Sequence, residues 1–288
     1  MPPEPTLQPG RSPATLRWQS QAVLLATVPF AGTWVTLQAA AAWPAHASVV
    51  CQAAIISIAF AGLAYALRAA TLGAAATGVI FVASVYLETP GWHTALWPLL
   101  ALFLLTHAAT RYGRRRKEAM GIAEARRGRR ASQVAANLGV AVLAGVPPVL
   151  ERIGVVPAPR LLLTCMAAAL AEATADTVSS EMGQVLGGEP RMITSLRRVP
   201  AGTDGAVSGA GTLAGCLGAA LVVAIAALVL PMRRSDALIA FAAAVAGLFF
   251  DSLLGAIPER RGWLNNDAVN ALSTLASAVL AGVAIRLF

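Results

Sequence analysis

The sequence predicts an all-α, polytopic transmembrane helical bundle of about nine spanning helices (seven to nine), and three observations carry that prediction. Hydrophobic residues fill 57% of the 288 positions and charged residues only 12%, against about 25% charged in a soluble domain. Mean hydropathy is +0.67. The charges are also bunched: no Asp, Glu, Lys or Arg falls between Arg17 and Arg68, Arg68 and Glu88, or Glu88 and Arg111, and further gaps follow Arg130, Asp204 and Asp267. A helix needs about 20 apolar residues to cross the hydrocarbon core, and most of these gaps supply them.

Residues 1–16, proline-rich and without an apolar run, predict a short disordered tail. One transmembrane domain, 17–288, follows, with helices near 20–40, 47–67, 71–87, 94–110, 132–150, 160–180, 211–231, 236–257 and 267–286. Gly211, Gly215 and Gly218 show the small-residue spacing that lets helix backbones approach in lipid. The net charge of +8 reads as loop charge under the positive-inside rule, not as a nucleic-acid surface. It places the tail and the loops 111–131, 181–210 and 258–266 in the cytosol, with Arg233 and Arg234 the one opposing pair. The expected setting is a multi-pass protein of a bacterial-type inner membrane. Cys51, Cys165 and Cys216 lie in apolar segments and read as small buried hydrophobes. His46, His93 and His107 lack metal-ligand spacing.

Three polar segments interrupt the apolar pattern, all toward the cytosolic face. The first runs from Arg111 to Arg130, with Asn137 in the helix beyond. A topology-setting basic loop accounts for it; so does a phosphate site, because guanidinium forks bind phosphate oxygens bidentately. Glu124 and Asn137 fit the purely electrostatic reading poorly. The second begins with Glu172 and Asp176, four residues apart and therefore on one helix face. Thr177, Ser180 and Glu181 adjoin them. Carboxylates in a spanning segment usually face a cavity, a partner or an ion, and hard oxygens suit Mg²⁺, although a solvated helix end would also hold them. The glycine-rich stretch from Gly202 to Gly211 then leads into a helix whose N-terminus favours an anion. The third places Asp251 in the last turns of one helix, and Asn265, Asn266, Asp267 and Asn270 at the start of the next. Capping needs only one of these four.

Together these segments resemble a membrane family known as domain of unknown function ninety-two, which includes transmembrane protein nineteen and the plant phytyl-phosphate kinases. The matching stretches are Glu124–Arg130 with Asn137, Ala173–Gly183, Val199–Ser208, Asp251–Ala256 and Gly262–Asn270, within roughly residues 60 to 288. The resemblance implies a kinase for isoprenoid monophosphates that uses CTP or another nucleoside triphosphate. On that reading Asp176 and Glu181, with Asp251 or Asp267, hold Mg²⁺. Arg198, Gly202, Thr203, Gly205 and Ser208 cradle the nucleotide. Glu124, Arg129, Arg130, Asn137, Asn266 and Asn270 serve the isoprenoid phosphate. A CTP-dependent lipid cytidylyltransferase and a transporter without enzymatic activity are the alternatives. No inverted repeat supports the transporter, and the polar groups gather at helix ends instead of the bilayer midplane.

Overall fold

The computed structural model describes residues 16–123, 128–145 and 159–287. The expected N-terminal tail, apart from Leu16, lies outside these residues, as does Glu124. Nine long apolar helices are described: α1 (Arg17–Ala42), α2 (Ala47–Ala66), α3 (Leu72–Glu88), α4 (Leu96–Arg111), α6 (Ala131–Ala144), α7 (Pro159–Leu186), α8 (Gly209–Val229), α9 (Arg234–Leu254) and α10 (Asn266–Leu287). A short α5 (Arg114–Ala119) lies between α4 and α6. Six of the nine are long and apolar enough to cross a membrane; α3, α4 and α6 are shorter. Large apolar side chains such as Leu25, Phe30, Ile55, Ile58, Leu217 and Leu228 point outward, as expected where lipid rather than water is the solvent.

Helix α7 is the centre. Of its apolar window 78% is buried, against 39% or less for the other long helices, and it packs on α4, α6, α8, α9 and α10. Its composition explains the position: from Met166 to Ala175 it is mostly alanine, and every residue in that stretch is buried. Small side chains bring neighbouring backbones close. The predicted glycine stripe is the α8 side of this contact. A Cβ on Gly215 would stand 2.6 Å from the Ala175 carbonyl oxygen, and one on Gly211 would stand 2.6 Å from that of Ser179.

Two loop expectations change. The segment 181–210 does not begin as a loop, because α7 continues to Leu186 and keeps Glu181 helical. Beyond it, β1 (Arg191–Met192) pairs antiparallel with β2 (Ala206–Val207), Arg191 opposite Val207. Strands of two residues leave no periodic trace in a sequence. The segment 258–266 likewise starts late: α9 continues through a π-helical turn, Gly255–Glu259, that contains Pro258. Cys51 is exposed instead of buried.

Helix direction puts the α1, α3, α6, α8 and α10 N-termini at the same end as the α2, α4, α7 and α9 C-termini. Hydrogen bonds tie this end together. Gln19 Nε2 donates to the Trp263 carbonyl (2.8 Å) and Ser20 Oγ to Asp267 Oδ2 (2.6 Å). Asn265 Nδ2 donates to the Leu16 carbonyl (2.7 Å), and Asn265 Oδ1 caps α10 by accepting from Ala268 N (2.9 Å). At the opposite end the buried Asp236 accepts from Arg160 Nε at 2.8 Å.

Candidate active site at one end of the bundle

A polar cavity of about 290 Å³ opens among α6, α7, α9, α10 and the hairpin loop. Its lining includes Asp176, Thr177, Ser180 and Glu181 from α7; Asp251 and Ser252 from α9; and Asn266 and Asn270 from α10. Gly202, Thr203, Gly205 and Ser208 line it from the loop, and Arg129, Gln133 and Asn137 from α6 and its approach. Groups more than a hundred residues apart therefore converge where sequence reasoning expected one site.

The loop wall depends on close backbone approach. Gly205 has φ +75°, and a Cβ there would meet the Ala256 backbone nitrogen at 2.4 Å. Only glycine takes this conformation without strain and also lets the loop lie against the π-helical turn. Ser208 caps α8, its Oγ accepting from Gly211 N at 3.1 Å, so the loop ends at a helix N-terminus suited to anions. Arg129 is held by its own backbone. Its N–H donates to the Ala69 carbonyl (2.9 Å), and its carbonyl accepts from Thr71 N (3.0 Å). Gly128, φ +79°, permits this crossing, since a Cβ would stand 2.5 Å from the Ala69 carbonyl carbon. The Arg129 side chain then reaches Thr177 Oγ1 at 3.2 Å, next to Asp176.

The carboxylates expected to hold a metal, taken with Glu172, divide into two sets; Asp204 and Glu259 line the cavity besides them. Asp176 and Asp251 are close neighbours across the α7–α9 contact, and Asp251 Oδ2 is buried without a hydrogen-bond partner. Glu172, one turn deeper on α7, is fully buried with both carboxyl oxygens unpartnered; its Cγ lies against Gly247 of α9. The other two carboxylates already have partners. Glu181 lines the cavity, but its carboxylate accepts from Lys117 Nζ. Asp267 is outside the lining and accepts from Ser20.

Among the described residues no three of His, Cys, Asp and Glu group closely enough to hold a metal ion by themselves. Mg²⁺ in a nucleotide site needs only one or two carboxylates, because phosphates and water complete its shell. Asp176 and Asp251, from facing helices that line the cavity, could supply those carboxylates.

Of the remaining expected residues, Arg198 is exposed, paired with Glu189 (2.6 Å), and does not line the cavity. Arg130 is exposed at the start of α6 and lines neither this cavity nor the next. Asn270 Nδ2 donates to Asn137 Oδ1 (3.3 Å), joining α10 to α6. Sequence reasoning missed Gln133, Gln184 and Glu259, which also line the polar cavity. Gln133 was findable, because it lies one turn before Asn137 on the same helix face.

It also missed a second cavity of about 590 Å³, between α2, α3, α4 and α6. This one is apolar inside, with Phe60, Phe81, Val82, Leu99, Leu102 and Phe103, and carries Arg68, Arg111, Arg114, Arg115 and Arg129 on its lining. Arg129 and Asn137 belong to both cavities. The arrangement defines a class of protein: a membrane-embedded helical bundle in which a polar, acid-lined cavity adjoins an apolar one across shared polar side chains.

The chain belongs to a known family of integral membrane proteins, since the model for "Integral membrane protein DUF92" matches residues 55–278. An uncharacterized membrane protein of Methanocaldococcus jannaschii is 36% identical over 182 residues, 63% of this chain and 72% of its own length. One from Synechocystis is 34% identical over 194 residues, 66% of this chain and 73% of its own. Protein VTE6, chloroplastic, of Arabidopsis thaliana is 29% identical over 184 residues, 63% of this chain and 55% of its own. No solved structure matches.

Proposed function

We propose that the protein is a membrane prenyl-phosphate kinase, transferring a phosphoryl group from CTP or another nucleoside triphosphate to an isoprenoid monophosphate. The observation that carries this reading is the junction of the two cavities at Arg129 and Asn137. A phosphate carried on an apolar chain would sit there facing a nucleotide in the polar cavity. The resemblance to phytyl-phosphate kinases, together with the similarity to the plant relative, supports an isoprenoid phosphate as the acceptor.

Phosphoryl transfer depends chiefly on positioning and charge neutralisation. The loop Gly202–Ser208 and the α8 N-terminus would receive the nucleotide phosphates. Arg129 would orient the acceptor phosphate and offset its charge. Asp176 and Asp251 would hold Mg²⁺, which when bound neutralises charge on the nucleotide phosphates. An acceptor phosphate oxygen forms the new P–O bond as the bond to the β-phosphate oxygen breaks, and the nucleoside diphosphate leaves. The acceptor is already anionic, so no general base is required. Glu181 would brace the site through Lys117.

Arginines 111, 114, 115, 116, 191, 197, 198, 260 and 261 all belong to the site end of the bundle. The positive-inside rule therefore favours the cytosolic face, where a soluble nucleotide is available. The test is purified protein given γ-labelled CTP, ATP, GTP or UTP with phytyl or geranylgeranyl phosphate. Label in a lipid diphosphate is the expected result. Release of pyrophosphate would identify a cytidylyltransferase instead, and no transfer from any nucleotide in folded protein would refute the enzyme reading.

A further inference from the structure

We propose that the gap between α2 and α4 is a side doorway through which the acceptor passes from the bilayer to the site, and that the Phe60–Phe103 ring contact is its latch. The inference rests on the prenyl-phosphate reading for the nature of the acceptor. The doorway itself comes from how the helices around the apolar cavity pack.

An acceptor dissolved in the membrane has to pass between helices to reach Arg129, and the gaps between helices differ. α2 packs along α3, and α3 along α6. α4 and α6 are held together by α7, which packs on both. Among the described residues α2 and α4 barely touch, because α4 packs on α7 and α8 while α2 packs on α3. They run in the same direction, and the outward-facing Leu63 and Leu104 put lipid on the far side of the gap.

Two ties cross this gap. The rings of Phe60 on α2 and Phe103 on α4 have centroids 5.1 Å apart; both residues line the cavity and both are partly exposed. Nearer the site end, Arg111 Nη2 donates to the Leu67 carbonyl at 2.7 Å, serving an acceptor that the end of α2 leaves open. The stretches Phe60–Leu67 and Phe103–Arg111 advance about 10–12 Å. Between the ties the frame carries small or polar side chains: Ala61 and Ala64 from α2, and Thr106, His107 and Thr110 from α4. A hydrocarbon chain about 4–5 Å across is well within that height.

The position of the gap suits an amphiphile. Arg68, Arg111 and Arg115 stand at its site end, so a phosphate could travel along the membrane surface while its chain swings inward. A charged head would then never cross the hydrocarbon core, where it is costly. Arg111 can exchange the Leu67 carbonyl for a phosphate oxygen, a stronger, charge-assisted partner. The ring contact is weak by comparison, and lipid tails solvate a separated ring about as well as protein does.

The experiment follows exchange of labelled geranylgeranyl phosphate between the bilayer and the full chain in lipid nanodiscs, without nucleotide. Cys51, Cys165 and Cys216 are first replaced. Ala64→Cys and His107→Cys then set one thiol on each side of the gap, and a short, reducible bifunctional thiol reagent joins them. Ala61→Cys with Thr106→Cys is a second pair should the first fold or join poorly. Joined protein should take up and release label at least about tenfold more slowly, and reduction should restore both rates. Label loaded before joining should stay bound. Phe103→Leu, which stays apolar but loses the ring contact, should speed exchange about threefold to tenfold. The inference is overturned if joined and reduced protein exchange equally fast, if Phe103→Leu changes neither rate, or if wild type takes up no label. Gated exchange in a wild type that transfers no phosphoryl group would support the doorway while removing the kinase reading. Undiminished transfer to geranylgeranyl phosphate by joined protein would keep the kinase reading and remove the doorway.

Discussion

Lys117 stands in the most basic stretch of the chain, yet its side chain is 1% exposed. All three ammonium protons are directed. Nζ donates to the carbonyls of Ala109 (2.9 Å) and Thr110 (3.2 Å), at the end of α4, and to the Glu181 carboxylate on α7. Lys117→Met keeps most of the stem but leaves Glu181 with an uncompensated charge and two helix-end carbonyls without their donor. Removing one member of a buried ion pair costs about 3–5 kcal/mol. At about 2 °C or more per kcal/mol for a chain of this size, the unfolding midpoint should fall by on the order of 10 °C. Glu181→Leu alone should do the same. The double variant should recover most of the loss, because an apolar pair in place of a buried ion pair is often neutral or better. Thermal unfolding of detergent-purified protein, followed by fluorescence of the six tryptophans, measures all four corners of this cycle. The double variant should also retain phosphoryl transfer, since Asp176 and Asp251 are untouched. Single variants shifted by less than about 2 °C, or a double variant whose loss equals the sum of the singles, would refute the clamp. A folded, inactive double variant would return Glu181 to the role of ligand.

Asp251→Asn and Asp176→Asn should each lower transfer by at least about a hundredfold with the unfolding midpoint retained, and chelation of divalent metal should silence the wild type until Mg²⁺ is restored. Activity unaffected by both treatments would remove the metal assignment. Gly205→Ala adds strain at φ +75°, about 1–2 kcal/mol, and sets a Cβ 2.4 Å from the Ala256 nitrogen. Initial-rate kinetics should show a higher KM for the nucleotide, about tenfold or more, with the acceptor's KM unchanged. Equal effects on both would mean that the loop does not serve the nucleotide alone.

Much of the bundle was legible in the order of residues. A gap such as Arg17 to Arg68 can be filled only by apolar helix, and Gly211, Gly215 and Gly218 announce a close helix contact because their spacing places them on one face. Glu172 and Asp176, charged within an apolar segment, marked α7 as functional for the same local reason. Asp176, Asp251, Asn266, Asn270 and the glycine loop do line one cavity.

Partner choice was not legible, because it joins residues remote in sequence. Glu181 meets Lys117 across 64 positions and Asp267 meets Ser20 across 247, so two carboxylates with equal formal claim to a metal are engaged elsewhere. The apolar cavity was invisible for a related reason: its lining residues are individually ordinary, and its volume exists only where four helices fail to close on one another. The chain by itself determined which segments enter lipid and which polar groups are too costly to be accidental. Tertiary packing decided which of those groups face open space and which face one another, since an empty volume and an ion pair are properties of distances between helices, which local periodicity does not encode.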